Sequence, residues 1–226
     1  MVRKYRNIYR ICTKDSPSTK RCLSKEEISR LLTGIIAVEE KVDGGVCGIS
    51  RDEDRLILQG RGRIIPYDEN SKQFHGLNSW AYENYEKLIR IPHEWIVYGE
   101  WVKACHNIYY DKLPDYFIGF DVWNGERYLN LIDRSKFLHS IGIAEVPVLH
   151  TGTDYVIGDI FASDIAFKIK SRYSSSEIME GVVIKNKNGL VGKYVRREFA
   201  DSMEEDWLKK PLIVNRLRDD KIDVLA

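Results

Sequence analysis

Glu39-Glu40-Lys41-Val42-Asp43-Gly44-Gly45 is the stretch on which the reading of this chain turns. It follows the apolar run Ile35-Ile36-Ala37-Val38 and precedes Val46 to Ser50, so a lysine stands at the end of a strand with an acid and two glycines behind it. Lacking a Cβ, glycines let backbone approach a ligand closely. A lysine so placed becomes a nucleophile when neighbouring cations or loss of water pull its pKa down from about 10.4. The plainer alternative, an exposed lysine ahead of a glycine turn, is the commoner arrangement when the stretch is taken alone.

Upstream, Ser24 followed by Glu27 forms a capping box, Ile28, Leu31 and Leu32 have helical spacing, and Gly34 supplies a stop, which predicts a helix over 25–33. Downstream, Val46 to Ser50 and Leu56-Ile57-Leu58 are short apolar runs either side of Arg51-Asp52-Glu53-Asp54; with 35–38 they read as consecutive antiparallel strands. Asn78 or Ser79 caps a helix carrying Trp80, Tyr85, Leu88 and Ile89 and stopped near Pro92. Strand-like runs follow at 95–101, 116–123 and 128–132, then a helix capped by Asp133 and ending at Gly142, while Ile157–Ile169 is apolar without a clear period. Gly181 to Ile184 and Leu190 to Val195 flank Lys187-Asn188-Gly189, a hairpin signal. Glu198 to Lys209 places Phe199, Met203 and Trp207 at helical spacing, as packing against a core requires. Antiparallel strands with interspersed helices make an α+β fold. Without a linker or repeat, a single domain spans 1–226, with 198–226 a short helical tail.

The 226 residues, 43% hydrophobic and 31% charged, suit a globular core. No apolar run approaches the roughly 18 residues of a membrane span, and a basic start is unlike a secretory signal. The cysteines, Cys12, Cys22, Cys47 and Cys105, form no C-x-x-C pair and are too sparse for a disulfide-stapled scaffold, which fits a cytoplasmic setting. Net charge is +1, yet residues 1–25 hold eight basic groups against Asp15 alone. With Tyr5 and Tyr9 among those cations, the front end suits a polynucleotide, the alternative being a solvated basic strand. The five histidines show no metal-ligand spacing.

After Lys41 come, in order, Arg61, then Val97-Tyr98-Gly99-Glu100-Trp101, then Phe117-Ile118-Gly119-Phe120-Asp121, then Glu180-Gly181-Val182-Val183-Ile184-Lys185, then Lys193. This series resembles the nucleotidyltransferase motifs of ATP-dependent polynucleotide ligases from about Glu39 to Arg196, and within that superfamily it is most similar to the RNA ligases of phage and of kinetoplast RNA editing. The resemblance implies that Lys41 attacks the α-phosphorus of ATP to form a lysyl-adenylate, and that Glu180 helps hold the catalytic metal, Mg²⁺ or Mn²⁺. It implies further that Lys193 touches the α-phosphate, that Glu100 accepts hydrogen bonds from the ribose, and that Phe120 stacks on adenine. Arg61 would contact ribose or the RNA 3′ end, with Arg63 the alternative in register. Glu39 or Glu40 would lie near the adenine amino group, and Lys185 is a weaker phosphate candidate, a solvent-facing lysine being the alternative. Asp121 reads as structural.

Two positions depart from the pattern. Val46 stands where these RNA ligases usually carry Asn and DNA ligases Arg, and the last motif reads Lys193-Tyr194-Val195-Arg196 in place of Lys-x-Lys. About thirty residues follow Lys193, too few for the oligonucleotide-binding barrel of DNA ligases and capping enzymes. The expectation is an ATP-dependent ligase joining RNA 5′-phosphate and 3′-hydroxyl ends. A DNA nick ligase and a non-catalytic nucleic-acid-end-binding module are the alternatives.

Overall fold

A computed structural model describes residues 2–12, 21–68, 71–153, 169–196, 198–199 and 211–219. Two sheets frame the chain's motifs. One has five strands in the order β1 (Tyr9–Arg10), β9 (Val191–Val195), β8 (Gly181–Asn186), β2 (Ile36–Glu40) and β7 (Val148–Gly152); the other has four, β4 (Arg55–Gln59), β3 (Gly45–Asp52), β5 (Ile96–Trp101) and β6 (Phe117–Trp123). Every pairing is antiparallel except β1 with β9.

The expected pairing of 35–38 with 46–50 does not occur. All five residues of β2 are buried because β8 and β7 pair with it on either side, so β2 has no edge left for β3. Lys41 to Gly44 instead crosses from one sheet to the other. Gly44 makes the crossing possible: a Cβ there would stand 2.5 Å from the Trp101 carbonyl oxygen.

Ser24 caps α1 (Lys25–Leu31) through the expected box, and Gly34 follows at φ +81. Leu31 packs with Ile11, Ile36, Val38, Ile184 and Tyr194 in the core of the first sheet. The helix expected before Pro92 is two short ones, α2 (Leu77–Glu83) and α3 (Tyr85–Leu88). It starts from Gly76 at φ +74, because the Asn78 side chain donates to the carbonyls of Pro66 and Tyr67 instead of capping. Trp80 of α2 covers the second sheet against Trp101 and Phe117. The strand expected at 128–132 reduces to one bridge between Tyr128 and Trp123, since Asn130, not Asp133, caps α4 (Leu131–Ser140). The sequence reading also missed β7, whose Val-Leu-His-Thr-Gly lacks clean alternation. Phe199 is buried as the tail's stripe requires, whereas 157–168, Met203 and Trp207 lie outside the described residues. Among the described residues no helix is long and apolar enough to cross a membrane.

The basic front end is built into the fold. Ile11 and Tyr5 are buried, the Tyr5 amide donates to the Arg61 carbonyl and the Ile11 amide to that of Lys193, both at 2.8 Å. Arg3 lies over the Trp123 ring and Arg6 over that of Tyr128. Cys12 and Cys22 form a disulfide, contrary to the expectation from cysteine count; Cys22 bridges Arg10 alongside β1, which sets the two Cα atoms 5.7 Å apart, within reach of a bond.

Asp121 anchors this segment: its carboxylate accepts from the Tyr5 hydroxyl at 2.6 Å, from Arg6 at 3.0 Å and from Lys185 at 2.9 Å. Burial alone would raise its pKa, but Lys185, Arg6 and the Tyr5 hydroxyl outweigh it and hold the group at about 2. The resulting stability, about 2 kcal/mol at roughly 1.4 kcal/mol per pKa unit, is fully present above the unfolded value of 3.8 and is lost as pH falls toward about 2. Urea midpoints of wild type should therefore drop steeply between pH 4 and pH 2, and Asp121→Asn should lack that part of the slope. Identical slopes would remove Asp121 from this role.

Candidate active site

Strand alternation separates the two acids before Lys41. Glu39 carries its carboxylate between the Arg134 guanidinium, 2.5 Å away, and the Lys185 ammonium at 2.9 Å. Glu40 turns its carboxylate to the other side, accepting from the Ser171 hydroxyl at 2.5 Å and the Arg172 amide at 2.9 Å. Lys41 sits one step beyond the strand, its amide donating to the Gly181 carbonyl at 3.0 Å. Gly181 must be glycine, because a Cβ there would collide with the Tyr194 carbonyl on β9.

Lys41 Nζ donates to Glu180 Oε2 at 2.6 Å. Burial pulls the Lys41 pKa down, but Glu180, Glu100 and Asp43 outweigh burial and hold it above the ordinary lysine value. Burial pushes Glu180 up, and takes Glu100 to about 8 with Glu180 and Asp43 adding to it against Lys41 and Lys193. Lys193 moves the opposite way, to about 8, through burial and repulsion from Lys41, Arg10 and Arg61. Asp43 accepts from the Asn107 and Ile108 amides at 2.8 and 3.2 Å, and its own amide donates to the Tyr110 hydroxyl, which fixes the crossing behind Lys41.

One cavity of about 120 Å³ is lined by Glu39, Glu40, Lys41, Arg61, Glu100, Phe120, Lys185 and Lys193, together with apolar walls that include Tyr5, Ile8, Val46, Val146 and Val183. The structure thus brings together eight of the nine residues singled out in the sequence. The ninth, Glu180, meets the cavity through Lys41. The cavity has two chemically different ends. Lys41, Lys193, Glu100 and Glu180 form a charged end. Phe120, with its ring centroid 5.2 Å from that of Tyr5, marks an apolar end.

Lys185 belongs to the second end, since its ammonium also reaches the Phe120 carbonyl at 2.5 Å and Asp121. Arg61 donates to Asn7 Oδ1 at 2.9 Å, and Arg63 is not on the cavity wall. Arg196 points elsewhere, its Nε donating to the Met179 carbonyl at 2.6 Å. No cation replaces Val46 at its own position. Arg134 was missed. Its signal was a cation at the N-terminal end of α4 sharing a face with Phe137 and Leu138, an inward position where a charge needs a partner.

Among the described residues no group of three or more His, Cys, Asp and Glu is arranged to hold a metal ion. Glu180 beside two lysines still fits Mg²⁺, which keeps much of its water and is held by one or two carboxylates plus substrate phosphates.

Solved structures of the Naegleria gruberi RNA ligase share this fold. A mutant with ATP and Mn has a TM-score of 0.60 at 17% identity, covering 80% of this chain and 55% of that one. The ligase with pyrophosphate gives 0.62 at 18% identity, covering 86% and 60%, and an apo mutant gives 0.63 at 16%, covering 91% and 58%. The chain therefore spans little more than half the length of these neighbours. No curated protein matches the sequence. The family model described as RNA ligase matches residues 34–209, well over half of the chain and every motif from Glu39 to Lys193, and the chain belongs to that family.

Proposed function

We propose that this chain is an ATP-dependent RNA ligase that joins 5′-phosphate and 3′-hydroxyl ends through a lysyl-adenylate on Lys41. The observation that carries the reading is the two-ended cavity, with Lys41 held 2.6 Å from Glu180 at one end and Phe120 at the other. A nucleotide has the same polarity: charged phosphates, then ribose, then a flat base.

In the first step Lys41 Nζ, having given its proton to solvent, attacks the α-phosphorus; the N–P bond forms, the α–β bridging P–O bond breaks, and pyrophosphate leaves with the electron pair. Lys193 faces the developing phosphate charge. Repulsion between Lys41 and Lys193 also works against the grip of Glu180, Glu100 and Asp43 on the Lys41 proton. A divalent ion bound at Glu180 would supply further positive charge to the phosphate oxygens. In the second step an oxygen of the RNA 5′-phosphate attacks the adenylate phosphorus, the N–P bond breaks, and Lys41 recovers a proton. In the third the 3′-hydroxyl, giving its proton to solvent, attacks the 5′-phosphorus; the phosphodiester P–O bond forms, the P–O bond to AMP breaks, and AMP leaves with the electron pair.

The remaining residues orient. Phe120 offers a flat π face to adenine in a cavity that Val183 also lines, and Glu39, locked by Arg134 and Lys185, accepts from the exocyclic amine. Glu100 meets the ribose hydroxyls. Lys185 serves the base end through Glu39 and Asp121 rather than the phosphates.

Incubation with Mg²⁺ and each labelled nucleoside triphosphate should yield, by intact mass, one AMP on wild type and none on Lys41→Ala, and a chase with 5′-phosphorylated RNA should remove the label. An adduct that persists on Lys41→Ala overturns the assignment. Glu180→Ala should abolish metal-dependent turnover while the protein still melts cooperatively, and excess Mn²⁺ should restore part of the activity; an unchanged metal titration returns Glu180 to a structural role.

A further inference from the structure

Strand register brings one residue each from β2, β8, β9 and β1 into line: Glu39 pairs with Val183, Val183 with Lys193, and Lys193 with Arg10. Cross-strand partners share a face of the sheet, and Glu39, Val183 and Lys193 all line the cavity beside Lys41. Arg10 therefore stands on the cavity face, one strand spacing of about 4.8 Å beyond Lys193. Ile8, two residues earlier, lines the cavity as well, whereas Ile11 turns the other way into the core of the first sheet. Backbone bonds hold this position from both sides. The Ile11 amide donates to the Lys193 carbonyl and the Leu23 amide to the Arg10 carbonyl, each at 2.8 Å.

The charge at this position is unspent. Arg3 goes to the Trp123 ring and Arg6 to Asp121, but among the described residues Arg10 and Lys193 enter no ion pair. Arg10 Nε is buried without a hydrogen-bond partner, an arrangement that costs free energy unless a ligand meets the guanidinium. Acids nearby are already committed: Glu180 to Lys41, Glu39 to Arg134 and Lys185, Glu40 to the Ser171 hydroxyl. Burial, then repulsion from Lys41, Arg10 and Arg61, takes the Lys193 ammonium down to about 8, so like charges crowd this end of the cavity.

The row follows the order of groups in ATP. Glu39 stands at the base end and Lys193 at the α-phosphate, and one further strand leads to Arg10. We infer that Arg10 binds the β- and γ-phosphates of ATP and neutralises pyrophosphate as it leaves, which rests on the RNA ligase reading above. When the α–β bridging P–O bond breaks, its electron pair goes to the pyrophosphate. The guanidinium keeps its proton throughout and meets the added charge with a fork of N–H donors.

The test uses the full chain with Mg²⁺ and titration calorimetry of two nucleotides: α,β-methylene-ATP, whose bridge Lys41 cannot cleave, and AMP, which lacks the outer phosphates. Arg10→Ala should melt with wild type, lose about tenfold in affinity for α,β-methylene-ATP, the order of one charge-assisted hydrogen bond, and keep its affinity for AMP. Arg10→Met, which keeps an unbranched stem and drops the charge, should do the same, and Arg10→Lys should fall between. Discharge of the preformed Lys41 adenylate by pyrophosphate should need correspondingly more pyrophosphate in Arg10→Ala, whereas transfer of AMP to 5′-phosphorylated RNA should keep its wild-type rate. Unchanged affinity for α,β-methylene-ATP overturns the inference, and so does an equal loss for both nucleotides, which marks a structural role. Slowed transfer to RNA with nucleotide binding intact also overturns it, placing Arg10 on the RNA 5′-phosphate. Wild type that binds α,β-methylene-ATP but takes no AMP from ATP overturns the ligase reading and leaves Arg10 to be decided by the same affinities; wild type that binds neither nucleotide overturns both.

Discussion

The ammonium of Lys41 and the carboxylate of Glu180 meet at 2.6 Å where the chain leaves one sheet for the other, Glu180 buried and the Lys41 side chain 21% exposed. Removing Lys41 would leave the buried Glu180 charge uncompensated, which costs about 3–5 kcal/mol in fully buried pairs and less where one partner reaches water. The surroundings are organised to make the pair tolerable without making it tight enough to be inert. Lys193 stands on β9, beyond β8, and repels Lys41, while Glu100 and Asp43 attract it. A lysine held this way is charged at rest and sits among groups whose balance changes as soon as phosphate enters.

The far end of the cavity follows an analogous rule with charges that do not react. Arg134, Glu39, Lys185, Asp121 and Arg6 alternate in sign along a continuous line that is buried at Arg134, Glu39 and Asp121 and partly buried at Lys185 and Arg6, each within 3.0 Å of the next. Alternation lets five charges sit in a low-dielectric interior, where each is partnered from both sides or capped by a backbone carbonyl or the Tyr5 hydroxyl. It also couples distant parts of the chain. The line starts on α4, passes through β2, β8 and β6, and ends on the front segment, so the wall behind Phe120 is assembled from five separate stretches of sequence.

That coupling explains what could be read in advance. Local signals were legible: the Ser24 box, the Gly189 turn and the spacing of motifs along β5, β6 and β8 all describe neighbours in sequence, and they placed Glu100, Phe120 and Lys193 on the strands that carry them and Glu180 just before β8. Pairing partners were not legible. That β2 is enclosed by β8 and β7, and so cannot pair with β3, depends on residues more than a hundred positions away. Arg134 was invisible for the same reason, because its partner Glu39 lies 95 positions upstream. The disulfide hides in a like manner, since the count of cysteines says nothing about β1 running beside the segment that holds Cys22.

The front segment shows most plainly why charge composition alone misleads. Eight cations in 25 residues look like a docking surface for polyanion as long as each is imagined in solvent. Once Tyr5 and Ile11 are buried, Arg3 and Arg6 are drawn to the nearest acids and rings, and Arg6 becomes the end of an internal line of charge rather than the start of an external one. Cations that face a polyanion have to remain unspent after folding, and whether they do is set by which acids the fold delivers to them.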